Sequence, residues 1–282
     1  MMDTYYSLFD EGRIKLFKIQ NGEEDARQLL LYALGIDMNE LLLHYTDKEV
    51  DADKAENFRK LIDMRAAHIP LQHLTHSSHF YGLDLYVDEN VLVPRFDTEV
   101  LVETVLNCEE HNPEPTKTAL DMCTGSGCIA IALAKYGNFK KVYGADVSRA
   151  ALEIADRNAE ANGVEITFYE SYMFEQMDEV TGLDVIVSNP PYIRTSVIDT
   201  LMPEVRDHDP RLALDGDEDG MYFYRIIAHE APKHLAEGGR IYLEIGYDQA
   251  EEVSKLLADA GFRDIETVKD LAQLDRVVKA RL

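Results

Sequence analysis

Along the first quarter of the chain, apolar positions recur at helical spacing. Leu29, Leu30, Ala33 and Leu34, and then Leu41, Leu42 and Tyr45, fall three and four residues apart between Thr4 and about His68. No run in this stretch alternates, so a small helical bundle is expected. Asp37, ahead of Met38, Asn39 and Glu40, is positioned to cap one helix, with an acidic side chain three residues on. Between Phe80 and Val93 the period becomes two: Leu83, Leu85 and Val87 share one face and Asp84, Tyr86 and Asp88 the other, which predicts a short hairpin joining two domains. Beyond the proline-bearing stretch Asn112 to Pro115, strand and helix patterns alternate. Strands are predicted at 118–122, 141–146, 166–169, 184–188 and 240–245, and helices at 129–136, 149–162, 220–235 and 249–259. Parallel neighbours need crossovers, so this order calls for an α/β fold with helices on both faces of a parallel sheet.

Composition narrows the partners. The 282 residues include 53 Asp and Glu against 28 Lys and Arg, a net charge of −25. A phosphate backbone is bound by Lys and Arg that displace counterions, so direct nucleic-acid binding and an anionic membrane surface are disfavoured. Hydrophobic residues make up 46% of the chain, as in folded proteins, and the length favours two domains. The start, Met1 to Lys15, lacks the basic and apolar segments of a signal peptide. The longest uncharged candidate for a membrane span, Met122 to Ala134, is short and rich in Gly, Ser and Thr. A cytoplasmic location is expected.

No metal is expected. Cys108, Cys123 and Cys128 are too few for a disulfide framework, and Cys123 and Cys128 lack a second pair or nearby histidine. His68, His73, His76 and His79 straddle the change from helix to hairpin. Asp215 to Gly220 begins like a calcium loop, but the twelfth position is Ile226 instead of Glu.

Three features carry chemistry. Ala119 to Ala134 puts Gly125-Ser126-Gly127 between a strand and a helix, where main chain can approach a nucleotide-like cofactor. It matches neither GxGxxG nor a triphosphate loop. Asp146 ends the next strand about 20 residues on, where a carboxylate accepts hydrogen bonds from ribose hydroxyls, and Ser148 is better placed to cap the helix that follows. The apolar strand from Asp184 then stops at Asn189-Pro190-Pro191-Tyr192. Two prolines fix a turn at the sheet edge where α/β folds bind ligands, holding an amide and an aromatic ring beside the cofactor.

Asn-Pro-Pro-Tyr downstream of a glycine loop resembles the motif of S-adenosylmethionine-dependent methyltransferases acting on planar amino or amide nitrogens. Such a nitrogen has a delocalised lone pair and becomes nucleophilic when both N–H bonds are held. The Asn189 side-chain carbonyl and the Pro190 main-chain carbonyl are suited to accept them, with Pro191 fixing the corner and Tyr192 giving a ring face. From about Arg65 the chain resembles the HemK/PrmC family, glutamine methyltransferases of peptide chain release factors. The matching segments include Pro70-Leu71-Gln72, Phe80-Tyr81-Gly82, Val91 to Glu99, Val185 to Ile193, Asp209 to Leu214, Asp219 to Tyr224, Leu243 to Gly246 with Gln249, and Asp275 to Val278.

The resemblance implies a Rossmann-like, seven-stranded methyltransferase domain with an antiparallel last strand, preceded by a small helical bundle and a β-hairpin linker. The domains would be a helical substrate-recognition domain at 1–74, the linker at 75–96 and the catalytic domain at 97–282. S-adenosylmethionine would lie against Cys123, Thr124, Gly125, Ser126, Gly127 and Asp146, near Asn189. Asn189, Pro190, Pro191 and Tyr192 would bind the glutamine of a Gly-Gly-Gln loop, with Arg95 and Glu99 shaping the acceptor pocket. A monomer acting on release factors is expected, and an acidic enzyme suits a substrate that works among ribosomal RNA. A ribosomal-protein glutamine, adenine in DNA or RNA, and a cofactor-binding protein without turnover are the alternatives.

This chain departs from the family pattern at four points. Cys123 stands for the first loop Gly, and Phe96 and Asp97 stand for Pro and Glu. Tyr172 occupies the usual acidic adenine position, which leaves Ser171, Tyr172 and Met173 as candidates there. Leu271 to Arg276 lacks the Gly common before Asp-Arg.

Overall fold

A computed structural model of the chain describes residues 3–46, 48–109 and 117–282. The proline-bearing stretch 112–115 lies outside the described residues. The chain divides into two compact units, one running to Ser77 and taking in Met202–His208, the other comprising Ser78–Leu201 and Asp209–Leu282.

The first unit is helical: α1 Tyr5–Lys15, α2 Gly22–Leu34, α3 Met38–Leu43, α4 Ala52–Ala66 and α5 Leu71–Thr75. Thr4 opens α1 with a reciprocal capping box, its hydroxyl accepting the Ser7 N–H at 3.2 Å while the Ser7 hydroxyl accepts its own N–H at 2.8 Å. Asp37 caps α3 by accepting the Glu40 N–H at 2.8 Å. Leu8, Leu29, Leu30 and Phe58 are fully buried between the helices. The six-residue α3 buries only Leu41, and Leu42, part of the expected apolar stripe, is exposed because so short a helix covers one narrow face.

Within this core the buried Arg65 guanidinium donates to Asp25 at 2.7 Å and to Glu204 at 2.6 Å. Burial raises the Asp25 pKa even though Arg65 pulls it down. Removing one partner of a buried pair leaves the other uncompensated, so Arg65→Ala should destabilise the protein by about 3–5 kcal/mol, read as a lower urea midpoint.

The second unit opens with a hairpin, β1 Ser78–Phe80 and β2 Leu83–Leu85, turned at Tyr81 and Gly82 with φ of 48° and 76°. Leu83, Leu85 and Val87 are buried, as their alternation implies. Then follow α6 Phe96–Glu109, β3 Lys117–Met122, α7 Cys128–Tyr136, β4 Phe139–Asp146, α8 Arg149–Asn162, β5 Thr167–Glu170 and β6 Leu183–Ser188. Three short helices come next, α9 Thr195–Ile198, α10 Pro203–His208, which belongs to the first unit, and α11 Arg211–Leu214. The chain finishes with α12 Tyr222–His234, β7 Leu235–Glu244, α13 Ala250–Asp259, β8 Arg263–Lys269 and β9 Asp275–Arg281.

The seven strands lie in the order β5-β4-β3-β6-β7-β9-β8. The first five are mutually parallel, and β9 runs antiparallel to both neighbours. This is the seven-stranded, Rossmann-like sheet that the resemblance implied. Alternate residues of the central strands feed two cores: Leu120 and Ile186 pack with α12 and α13, while Ala119, Val185 and Val187 pack with α6 and α7.

Strand β7 starts five residues earlier than its apolar pattern suggests, because Leu235 pairs with Leu183 before a register shift that brings Arg240 opposite Val185. The turn from β8 to β9 forms without the family's Gly. Gln273 takes a φ of 65° and the Asp270 carboxylate accepts the Leu274 N–H at 3.0 Å. Among the described residues no helix is long and apolar enough to cross a membrane.

Candidate active site

The strand order reverses beside β3, and the carboxyl ends of β3, β4 and β6 converge there on one cleft, the crevice where open α/β sheets hold ligands. The cleft contains about 1020 Å³ of empty space, counting its mouth.

Its floor is the loop after β3. Cys123 adopts a φ of 63°, a left-handed conformation that explains why glycine suits the position. A Cβ on Gly127 would come within 3.1 Å of Ala155 and Ile131, so glycine there lets the loop settle against α8. Gly125 has nothing within 4 Å of its Cβ position, which leaves its main chain open to a ligand. Asp146 ties the floor to β4: one carboxylate oxygen accepts the Gly125 N–H and the other the Ser148 N–H, each at 2.9 Å. Ser148 caps α8 by accepting the Ala151 N–H at 3.2 Å. Burial raises the Asp146 pKa.

At the far side, Ser171, Tyr172 and Met173 line the cleft with Val147 and Phe223. The Ser171 hydroxyl donates to the Met173 carbonyl at 2.6 Å, and the hydroxyls of Tyr172 and Tyr222 are hydrogen-bonded at 2.9 Å. A planar group bound at this end would therefore meet apolar side-chain surface and main chain instead of a carboxylate.

Strand β6 ends where the Ser188 hydroxyl donates to the Met122 carbonyl at 2.6 Å, locking it to β3. Asn189 and Pro191 then line the cleft, whereas Pro190, buried like Pro191, does not, and the Tyr192 hydroxyl points to Glu244. Several contacts brace this corner. Gln249 donates its amide to the Tyr192 carbonyl at 3.0 Å and to the Gly220 carbonyl at 3.2 Å. The Tyr192 main chain would be 2.8 Å from a Cβ on Gly216 and 2.5 Å from one on Gly220, so the acidic turn at 215–220 is packed against the corner through its glycines. The Asn189 amino group donates to the Thr98 hydroxyl at 3.2 Å, and the Tyr192 hydroxyl donates to Glu244 at 3.4 Å. Burial raises the Tyr192 pKa, with the Glu244 charge adding to it.

The remaining sequence candidates separate. Cys123, Thr124, Gly125, Ser126 and Asp146 line the cleft together with Asn189 and Arg95, and Arg95 donates to the buried Asp209 at 2.6 Å. Gly127, Pro190, Tyr192 and Glu99 do not line it. Glu99 instead accepts the Tyr81 N–H at 2.7 Å and holds the hairpin turn. His73 is buried in the helical unit, while His79 is exposed beside Asp84 in the other.

Sequence reasoning assigned no role to two buried carboxylates, one behind the loop after β3 and one against the corner. Asp121 accepts the Thr124 hydroxyl at 2.6 Å and the Ala130 N–H at 3.1 Å, pinning the loop to α7. Glu244 ends β7. Burial pushes each up to about 7, and each keeps one oxygen with no hydrogen-bond partner among the described residues. An acid inside an apolar strand run was the available signal.

By fold and site architecture this is a Rossmann-like methyltransferase of the S-adenosylmethionine-dependent kind. Residues 96–205 match the Methyltransferase small domain and residues 8–75 the PrmC N-terminal domain. The chain is 41% identical over 264 residues to the release factor glutamine methyltransferase of Geobacter sulfurreducens, covering 94% of this chain and 91% of that one. It is 40% identical over 260 residues to the enzyme of that name from Clostridium acetobutylicum, with 91% and 90% covered. A methyltransferase from Pyrococcus furiosus, 20% identical, shares the fold at a TM-score of 0.54 over 72% of this chain and 90% of that one. The chain belongs to the release factor glutamine methyltransferase family, as the ordered motifs implied.

Proposed function

We propose that the protein transfers a methyl group from S-adenosylmethionine to the side-chain amide nitrogen of the glutamine in the Gly-Gly-Gln loop of a peptide chain release factor. The observation that carries this reading is that Asn189 opens onto the same cleft as the Gly125 main chain and Asp146.

These residues fit the cofactor. The floor from Cys123 to Gly127 offers main chain with no side chain in the way at Gly125, Asp146 offers carboxylate oxygens to ribose hydroxyls, and Ser171, Tyr172 and Met173 offer a surface for adenine. When bound, S-adenosylmethionine supplies a methyl carbon activated by its sulfonium.

The chain's own part is to orient the acceptor. An amide nitrogen shares its lone pair with the carbonyl. The Asn189 carbonyl accepts one of the amide hydrogens in the cleft. Pro190 itself does not line the cleft, and its main-chain carbonyl, the one that follows Asn189, is the acceptor assigned to the other hydrogen. Tyr192, braced by Gln249 and Glu244, keeps the corner from relaxing, and Pro191 walls it. Positioning of this kind supplies a large part of a rate enhancement without a strong base. Arg95, held by Asp209, borders the cleft and shapes its acceptor side.

Residues 1–74 recognise the protein substrate, 75–96 link and 97–282 catalyse. Large exposed apolar side chains on the helical unit, among them Phe17, Leu42 and Leu43, support a protein-binding role for it. The charge of −25 favours a basic protein over nucleic acid and fits an enzyme of the cytoplasm that works as a monomer.

Incubation with labelled S-adenosylmethionine and separate acceptors tests the assignment. Label on the release-factor glutamine is expected. Label on a ribosomal protein or nucleic acid instead, or cofactor binding without transfer, would overturn it.

A further inference from the structure

Part of the cleft wall comes from residues without regular secondary structure. Asn90, Val91, Leu92 and Pro94 line it, and they belong to the stretch between β2 and α6 that the sequence reads as a linker. We infer that Asn158, which does not itself line the cleft, is a positioning residue for S-adenosylmethionine, because its one carboxamide holds the glycine floor and this stretch together. The inference rests on the reading of the cleft as the cofactor site and not on the identity of the acceptor.

Asn158 lies on α8 and is only 1% exposed. Its carboxamide oxygen accepts the Tyr86 N–H at 2.7 Å, and its amino group donates to the Tyr86 carbonyl and to the Ser126 carbonyl, each at 2.9 Å. A primary amide has two hydrogens to give, and both are used here. Turned over, the same group would set its oxygen against two carbonyl oxygens, so these partners fix its orientation. Aspartate, of the same shape, has no hydrogen for either carbonyl when ionised. Ser126 is buried, which leaves its carbonyl dependent on a protein donor. The next residue, Gly127, gives its N–H to the Thr124 carbonyl at 2.9 Å, so the peptide between Ser126 and Gly127 is held at both ends.

The same helix seats the stretch after β2. The Arg157 guanidinium carbon lies 3.6 Å from the centre of the Tyr86 ring, and Val87 and Val91 are buried against Ala151 and Ile154. Val91 and Ala151 both line the cleft. Helix α8 is thus a common seat for the floor and for part of the wall, and Asn158 is hydrogen-bonded to both. Without its amide the Ser126 carbonyl loses its donor, and Gly127, at a φ of 80°, lets the loop turn that carbonyl elsewhere. The displacement falls on the floor that the cofactor approaches. The corner after β6 is braced by other side chains, Thr98, Glu244 and Gln249, so the loss belongs to cofactor affinity and not to the transfer step.

The test is calorimetric titration of the full chain with S-adenosylmethionine. Asn158→Leu and Asn158→Asp should each bind it about 10–100-fold more weakly with an unchanged number of sites, the loss expected when a buried carbonyl is left without its donor. At saturating cofactor, kcat on a release factor should stay within about threefold of wild type, so that the cofactor KM carries the effect. A residue that only supports the fold would lower the number of competent sites and leave the affinity of the rest intact. Tyr242→Phe is the control: it removes a buried hydrogen bond to Glu109 at 2.7 Å outside the cleft and should keep cofactor affinity within about twofold. Should neither variant at 158 fold, hydrogen exchange in the wild type decides. Cofactor should slow exchange of the Tyr86 amide more than that of Leu83 in the hairpin, because the Tyr86 N–H reaches the floor through Asn158. Unchanged affinity in both variants, a loss of kcat deeper than the loss of affinity, or equal slowing at Tyr86 and Leu83 would overturn the inference. A wild-type chain that binds S-adenosylmethionine but does not methylate a release factor would overturn the proposed function and leave these binding results readable.

Discussion

Asn189→Ala should cut methyl transfer to a release-factor glutamine by about a hundredfold to a thousandfold while affinity for S-adenosylmethionine stays within about threefold. The magnitude is that of losing one preorganised hydrogen-bonding partner at a reacting centre. The direction follows from how the residue is held. Asn189 touches the rest of the protein through the Thr98 hydroxyl, which can turn to other partners once the amide is gone, whereas the floor of the cleft hangs from Asp121 and Asp146. The prolines that set the backbone after β6 remain, so the Pro190 carbonyl stays where it is and half of the amide clamp survives. Incorporation of labelled methyl read beside calorimetric binding of the cofactor separates the two quantities. Parallel loss of both would mean that Asn189 supports the cofactor site and not the acceptor.

Local sequence encodes some of this architecture well and some of it hardly at all. The glycine loop, Asp146 and Asn189-Pro190-Pro191-Tyr192 could be read because each sits where an apolar strand run breaks into turn residues. A break of that kind is visible without knowing any neighbour. The helices α7 and α8 were legible for the same reason, since α8 has its cap at Ser148 and its stop at Gly163.

Helix α6 was not legible as a helix. Its start follows Pro94-Arg95, and its buried Thr98, Leu101, Val102 and Val105 make sense only once the sheet they cover is known. Strand β8 is a mostly exposed edge strand and shows no apolar alternation. The acidic turn at 215–220 reads as a solvated surface loop, yet its glycines carry the close contact with Tyr192. The side chains that meet the corner, Thr98 on Asn189 and Glu244 on Tyr192, come from α6 and β7. Nothing in any one of these segments names the others, so pattern could supply the acceptor corner but not what orients it.

The second large effect falls on the other half of the cleft. Asp146→Ala should weaken S-adenosylmethionine binding about 10–100-fold and leave most of kcat at saturating cofactor. A hydrogen bond to a charged group contributes about 1.5–3 kcal/mol, which spans that range of affinity. Two losses coincide here: the oxygens offered to the ribose, and the tether at 2.9 Å that fixes the Gly125 N–H. Asp146→Asn separates them, because its remaining carbonyl oxygen can keep Gly125 in place while the negative charge is gone, so its loss of affinity should be smaller than that of Ala. The burial that raises the Asp146 pKa works against the ionised form until ribose hydroxyls donate to it, so cofactor binding should lower that pKa and become weaker as the solution is acidified. Calorimetry of the three proteins over pH, with kcat and KM measured in parallel, checks the whole set. Unchanged affinity in Asp146→Ala would remove the ribose assignment, while a fall in kcat as deep as that of Asn189→Ala would show that the two ends of the cleft do not act separately.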